Sequence, residues 1–264
     1  GCDVEVGRWV TAYGRPGEWS SDATALLPLI RKGGVHKFVL SQPEWSQQRY
    51  RPTVTLVLSR RAKDEKEAVP ATSTFLFDGG AFDAGYNKLP SHAPLRISLP
   101  HDTVKVEIHS MVSGHGWGST EENCAEFCVS QHRFGVRPAL QVDDQTYVGP
   151  HEGFYTQTLS GAGDDMGCSS KDGVLLKGVT PNQYGTWQYG RAGWCPGGDV
   201  RPWVVDVTDS VRPGMDVVVS YEGMFNGSDY KPSKCHGDAC GKGGTSPMIS
   251  MQSFLVVYKQ KPGV

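Results

Sequence analysis

The chain has 264 residues, a net charge of -2 and 38% hydrophobic residues, enough to build one large core or two modest ones. The near-neutral charge argues against nonspecific nucleic-acid binding, and no apolar run reaches the 18 residues of a membrane span. No signal peptide stands at the start, and Gly1-Cys2 reads as a processed or truncated beginning.

In chain order, EVGRWVTAYG (residues 5–14), HKFVLS (36–41) and RPTVTLVLSRR (51–61) read as strands, the last alternating cleanly at its centre. ATALLPLI, following Ser21-Asp22, reads as a short helical turn or 3₁₀ segment broken by Pro28. Three strands in 60 residues are too few for a closed sandwich, so this part is expected to be the rear of a domain whose first strands lie upstream. AKDEKEAVP (62–70) is charged and ends in proline, a linker signal. The division is therefore 1–62 for the rear part of the first domain, 63–70 for the linker and 71–264 for a second domain.

Strands are expected there at 73–77, 95–99, 104–109, 134–141, 174–177, 202–207, 215–221 and 253–259, joined by long loops at 110–132, 143–173, 178–201 and 222–250. With 33 glycines, 17 prolines and seven tryptophans, short Gly- and Pro-punctuated strands indicate an all-β sandwich of jelly-roll type. Structureless loops this long are uncommon without a function, and these are too rich in Trp, Tyr and Cys for simple disorder.

Seven cysteines add a compartment. Cys124/Cys128 and Cys235/Cys240 are close pairs, Cys168 and Cys195 lie between them, and nested local pairing gives three bridges and leaves Cys2 over. Disulfides place the chain outside the cytosol, secreted or periplasmic. Zinc is the rival for His236 beside Cys235, but the Cys spacings are looser than a Cys-x2-Cys knuckle. His109, His115 and His132 lack the register of a copper or iron site. Asp143, Asp144, Asp164 and Asp165 lack the oxygen spacing of a calcium loop. No nucleophile elbow, phosphate loop or dinucleotide fingerprint is present.

Two stretches carry chemistry. In HSMVSGHGWGSTEENCAEFCVSQH (109–132), read as an irregular loop, Glu126 is locked between Cys124 and Cys128. A ring that short stabilises by only about 2–3 kcal/mol; its more useful effect is to aim the carboxylate. Trp117 and Phe127 supply an apolar wall. A positioned carboxylate beside aromatic rings suits sugar binding or acid–base work, whereas the bland reading has Glu126 capping loop amides. In NQYGTWQYGRAGWCPG (182–197), Tyr184, Trp187, Tyr189 and Trp194 surround Arg191. The guanidinium either donates paired hydrogen bonds to a polar ligand or stacks on the rings of a satellite core.

SGHGWG, NCAEFC, Gly167-Cys168 and GTWQYGRAGWCPG, in this order, resemble the bacterial peptide-N-glycosidase F family of amidases. EVGRWVTAYGR through VTLVLSR is similar to the latter half of that family's first domain. The resemblance implies two eight-stranded antiparallel jelly-roll domains side by side, the first incomplete in this chain, and no cofactor and no metal. It implies hydrolysis of the side-chain amide between the first N-acetylglucosamine and asparagine, with N-glycosylated proteins or glycopeptides as partners. Glu126 and Arg191 match active-site residues, and Cys124–Cys128 and Cys168–Cys195 match bridges of the family. Trp117, Trp187 and Trp194 are expected as groove walls, and Gln42 or Glu44 at the place of a further family glutamate. Cys235 and Cys240 form the remaining expected bridge.

The family's catalytic aspartate lies in a Cys-Asp-Glu-Trp-Asp-Arg stretch that this sequence does not contain. The expectation is that an upstream fragment supplies it, held through Cys2. The alternatives are a glycan- or protein-binding module that has lost the aspartate, and a copper monooxygenase-like protein, for which only His109-x-Met111 approaches the required pattern.

Overall fold

The computed structural model describes residues 4–10, 17–31, 33–42, 51–59, 68–116, 125–139, 152–160, 191–195, 197–225, 227–229 and 247–260. Among the described residues nine strands form the body: β1 Val69–Ala81, β2 Leu95–Ser98, β3 Thr103–His115, β4 Ser130–Pro138, β5 Gly153–Thr158, β6 Trp203–Asp206, β7 Asp216–Phe225, β8 Ser228–Asp229 and β9 Met248–Lys259. All pair antiparallel. One sheet runs β1-β9-β3-β6, the other β2-β7-β4-β5 with β8 on the end of β7.

The two sheets face each other across one apolar core. Alternation decides which side chains enter it. Val217, Val219 and Tyr221 point inward from β7, and Phe134 and Val136 from β4. They meet Phe77, Val106, Ile108, Val112, Leu255 and Val257 of the opposite sheet. Phe77 stacks on Tyr221 with centroids 5.5 Å apart, and Phe134 lies 6.1 Å from Phe77. Truncating either phenylalanine to alanine costs about 3–5 kcal/mol by lost transfer and cavity terms. The core also encloses a polar chain: Ser130 Oγ with His132 Nε2 at 3.1 Å, His132 Nδ1 with the Tyr221 hydroxyl at 2.7 Å, and that hydroxyl with Tyr86 at 2.8 Å. Every member has a partner, as burial requires.

β5 alternates half-buried and exposed residues, as a one-sided edge strand does. Most of β3 is buried, because both of its faces are covered. Its outer side chains include Met111, Ser113 and His115. Met111 joins Trp194, Val200 and Val10 in a second small cluster. Residues 8–10 form a ladder with 197–200: Val10 N–H donates to Gly198 O at 2.9 Å, Gly197 N–H to Val10 O at 2.7 Å, and Val200 N–H to Arg8 O at 2.8 Å. Further on, the short helix α1, Leu27–Ile30, and the turn before it lie against β1, where Ser73 Oγ donates to the Ala25 carbonyl. The front of the chain thus wraps the outer face of the first sheet.

Several expected boundaries move. β3 continues through Gly114 and His115, and β4 begins at Ser130, so the stretch expected as one loop from 109 is strand at both ends. β5 lies inside the expected loop 143–173 and β8 inside 222–250. The expected strand 36–41 and the described part, 51–59, of the expected strand 51–61 carry no sheet pairing among the described residues, and apart from the Trp9–Asp199 bridge neither does 5–10, the described part of the expected strand 5–14. Alternation states which face of a strand seeks cover, but a strand exists only where a neighbour pairs with it. Val39 is 70% exposed and Val57 81%. The expected strand 174–177 lies outside the described residues. No helix among the described residues is long and apolar enough to cross a membrane, which says nothing of a β-barrel.

Candidate active site

The site lies where the end of β3 meets residues 125–128 and 191–195. Gly116 has φ +75° and turns the chain at the end of β3. Its carbonyl accepts the N–H groups of Ala125 at 3.1 Å and Glu126 at 3.0 Å. The Glu126 carbonyl accepts Ala192 N–H at 2.8 Å, and the Ala192 carbonyl accepts Gly114 N–H at 2.8 Å. Three segments distant in sequence are thereby laced together by backbone alone. Gly114 permits the approach: a Cβ there would stand 1.7 Å from the Ala125 carbonyl oxygen.

On this frame Arg191 Nε donates to Glu126 Oε1 at 2.8 Å, and Gly116 N–H donates to Glu126 Oε2 at 3.1 Å. The arginine side chain is 6% exposed and the glutamate 13%. The guanidinium lies 4.6 Å from the Trp194 ring centroid and 5.4 Å from that of Phe127. The His115 imidazole stacks on Trp194 at 5.5 Å. Trp194 itself is buried, and its indole N–H donates to the Gly114 carbonyl at 2.7 Å. It is therefore a floor under Arg191 more than an open wall. A carboxylate and a guanidinium in fixed register beside aromatic rings can hold a polar ligand by charge-assisted hydrogen bonds and its C–H faces by packing.

A second polar group adjoins this corner, and nothing in the local sequence signals it. Arg8 is fixed by both carboxylate oxygens of Glu5, at 2.7 and 2.6 Å. It donates to Ser113 Oγ at 2.5 Å and to the Ser250 carbonyl at 2.9 Å. Ser113 Oγ in turn meets His115 Nε2 at 2.7 Å. Burial pushes the His115 imidazole down to about 4; the Arg8 charge pushes the same way and Glu5 opposes it.

Of the residues expected from sequence, Glu126, Arg191 and Trp194 are brought together here. Gln42 lies in the exposed stretch 33–42. Glu44, Trp117, Trp187, Cys124, Cys168, Cys235 and Cys240 lie outside the described residues, while Cys128 and Cys195 are disulfide-bonded. The three histidines weighed as metal ligands separate. His132 sits in the core, and His109 pairs with Glu107 at 2.9 Å on β3, as far along the strand from His115 as three outward positions allow.

Among proteins of known structure, a peptide-N(4)-(N-acetyl-β-D-glucosaminyl)asparagine amidase is similar at 18% identity and TM-score 0.49, covering 73% of this chain and 54% of that one. PNGase F, a glycosylasparaginase from Flavobacterium meningosepticum, is similar at 17% identity and TM-score 0.46, covering 75% and 54%. Among curated proteins, peptide-N(4)-(N-acetyl-β-D-glucosaminyl)asparagine amidase F of Elizabethkingia miricola is 26% identical over 170 residues, 63% of this chain. The chain spans only 38% of the length of that relative. The family described as Peptide-N-glycosidase F, C terminal, matches residues 85–256, well over half of the chain, from before β2 into β9 and including Glu126 and Arg191. The chain belongs to that family.

Proposed function

We propose that this chain carries half of an active site that hydrolyses the side-chain amide linking N-acetylglucosamine to asparagine, releasing N-linked glycans from glycoproteins or glycopeptides. The observation that carries the reading is the buried pair of Glu126 and Arg191, set beside aromatic rings in a chain of an amidase family. In the reaction, water adds to the amide carbonyl carbon, the C–N bond breaks, and the nitrogen leaves with a proton as a glycosylamine. Asparagine becomes aspartate, and no cofactor takes part. The step needs water activated, the oxyanion stabilised and the nitrogen protonated.

Both oxygens of Glu126 already receive donors. We assign it the role of a fixed acceptor that binds a sugar hydroxyl and orients the reactive amide or water. Arg191 fixes Glu126 and offers positive charge. Activation of water falls to an aspartate supplied from outside this sequence, in a segment joined through Cys2. Trp117 and Trp187 are proposed as groove walls, and Gln42 or Glu44 as a further contact to the substrate. The bridges proposed are Cys124–Cys128, Cys168–Cys195 and Cys235–Cys240, in a secreted or periplasmic protein.

The rival reading is a glycan- or protein-binding module without the aspartate, favoured by the donors within the chain that already hold both oxygens of Glu126. Mass analysis of an N-glycopeptide after incubation separates them. The amidase leaves aspartate at the glycosylated position and frees the whole glycan; a binding module leaves the glycopeptide intact. Intact mass before and after reduction tests the Cys2 linkage, which predicts release of a second fragment.

A further inference from the structure

We infer that His115 is a substrate-binding residue of this site, presenting its Nδ1–H to a carbonyl oxygen of the N-acetylglucosaminyl-asparagine substrate. The inference rests on the amidase reading above.

Placement is the first argument. His115 directly precedes Gly116, whose N–H holds Glu126 Oε2. Its ring lies on Trp194, the same indole that carries the Arg191 guanidinium. His115, Glu126, Arg191 and Trp194 therefore form one contiguous corner, and His115 retains partial exposure there.

The proton inventory is the second. Arg8 has only donors, so Ser113 Oγ accepts from it. A hydroxyl accepting from a cation is polarised toward donating its own proton, and the neighbour at 2.7 Å is His115 Nε2. Nε2 is then the acceptor, and the proton of an uncharged ring resides on Nδ1. Burial and the Arg8 charge keep the ring uncharged at neutral pH. Glu5, the opposing charge, is turned onto Arg8 by two hydrogen bonds. Ser113 and Arg8 thus fix the tautomer and the direction of the remaining donor, while the imidazole itself meets the substrate.

Nitrogen-15 spectra of the imidazole, recorded without and with an N-acetylglucosaminyl-asparagine glycopeptide, test this. The expected result is a ring protonated at Nδ1 and bare at Nε2 at pH 7, whose resonances move with those of Trp194 as glycopeptide is added. H115F keeps a flat ring against Trp194 and is expected to weaken glycopeptide binding about tenfold. H115N keeps a donor near the Nδ1 position and is expected to restore most of it. A ring protonated at Nε2, or wild-type binding by H115F, overturns the inference; should H115F fail to fold, the tautomer of the wild-type ring decides. Movement of Trp194 and Arg191 without His115 overturns the inference alone. Movement of none of them overturns the amidase reading with it.

Discussion

Arg191 Nε lies 2.8 Å from Glu126 Oε1, across 65 residues of sequence, and the pair is almost wholly withdrawn from water. Removing one member leaves the other charge buried and uncompensated. Arg191→Ala is therefore expected to cost about 3 kcal/mol of stability, measured by urea denaturation. Arg191→Lys, which keeps the charge but loses the guanidinium plane over Trp194, is expected to recover only part of it.

Gly114 sets how closely β3 can pass beneath residues 125 and 192. A methyl group there would meet the Ala125 carbonyl oxygen at 1.7 Å and the Ala192 Cβ at 2.8 Å. Gly114→Ala is expected to destabilise by about 3 kcal/mol and to raise hydrogen exchange at Gly116, Glu126 and Ala192 above that of the distant β5 strand. Uniform loosening of the whole sandwich would speak against a local clash.

Arg8 ties the front segment to β3 and β9 through Ser113 and Ser250. Its charge also helps to keep His115 uncharged. Arg8→Ala is expected to raise the His115 pKa from about 4 toward the ordinary histidine range, followed by imidazole proton shifts across a pH titration. The same variant is expected to lose about 1–2 kcal/mol of stability.

His132 gives the fold a pH dependence. Burial pushes its imidazole down to about 3, and charge on His92 would push the same way. An unfolded histidine takes up its proton near pH 6.5, so between these values the unfolded chain binds more protons than the folded one. The contribution is complete above about pH 6.5 and is lost as pH falls toward 3. Denaturant titrations from pH 7 to 5 are expected to show stability falling by about 1.4 kcal/mol per unit for each of His132 and His115, whose imidazole is also pushed down, once the unfolded imidazoles are protonated. His132→Asn, though less stable, is expected to remove the His132 share and leave that of His115.

The sandwich was legible where one strand face meets the core and the other meets solvent. β2 and the inward row of β7 follow from apolar spacing alone. Beyond His109, β3 reads as loop in the sequence, because Ser113, Gly114 and His115 look like loop residues. They belong to a strand whose outer face is covered by residues 105 positions away, as the Arg8–Ser113 contact shows. The stretches 36–41 and 51–61 differ in the opposite way: their alternation is strand-like, yet no partner strand lies beside their described residues. Glu126 and Arg191 were visible as motif residues, but their pairing depends on the backbone bonds of Gly116 and Ala192, which no spacing encodes.

The part assigned to Glu126 is tested most directly by glycan release by the protein, wild type against E126Q, with glycopeptide binding measured in parallel. The carboxamide retains an oxygen to accept from Arg191 but loses the charge and shares one position with a donor. At least about a hundredfold loss of release is expected, with the glycopeptide still bound and conversion of asparagine to aspartate lost in proportion. Release by E126Q at the wild-type rate would contradict that assignment.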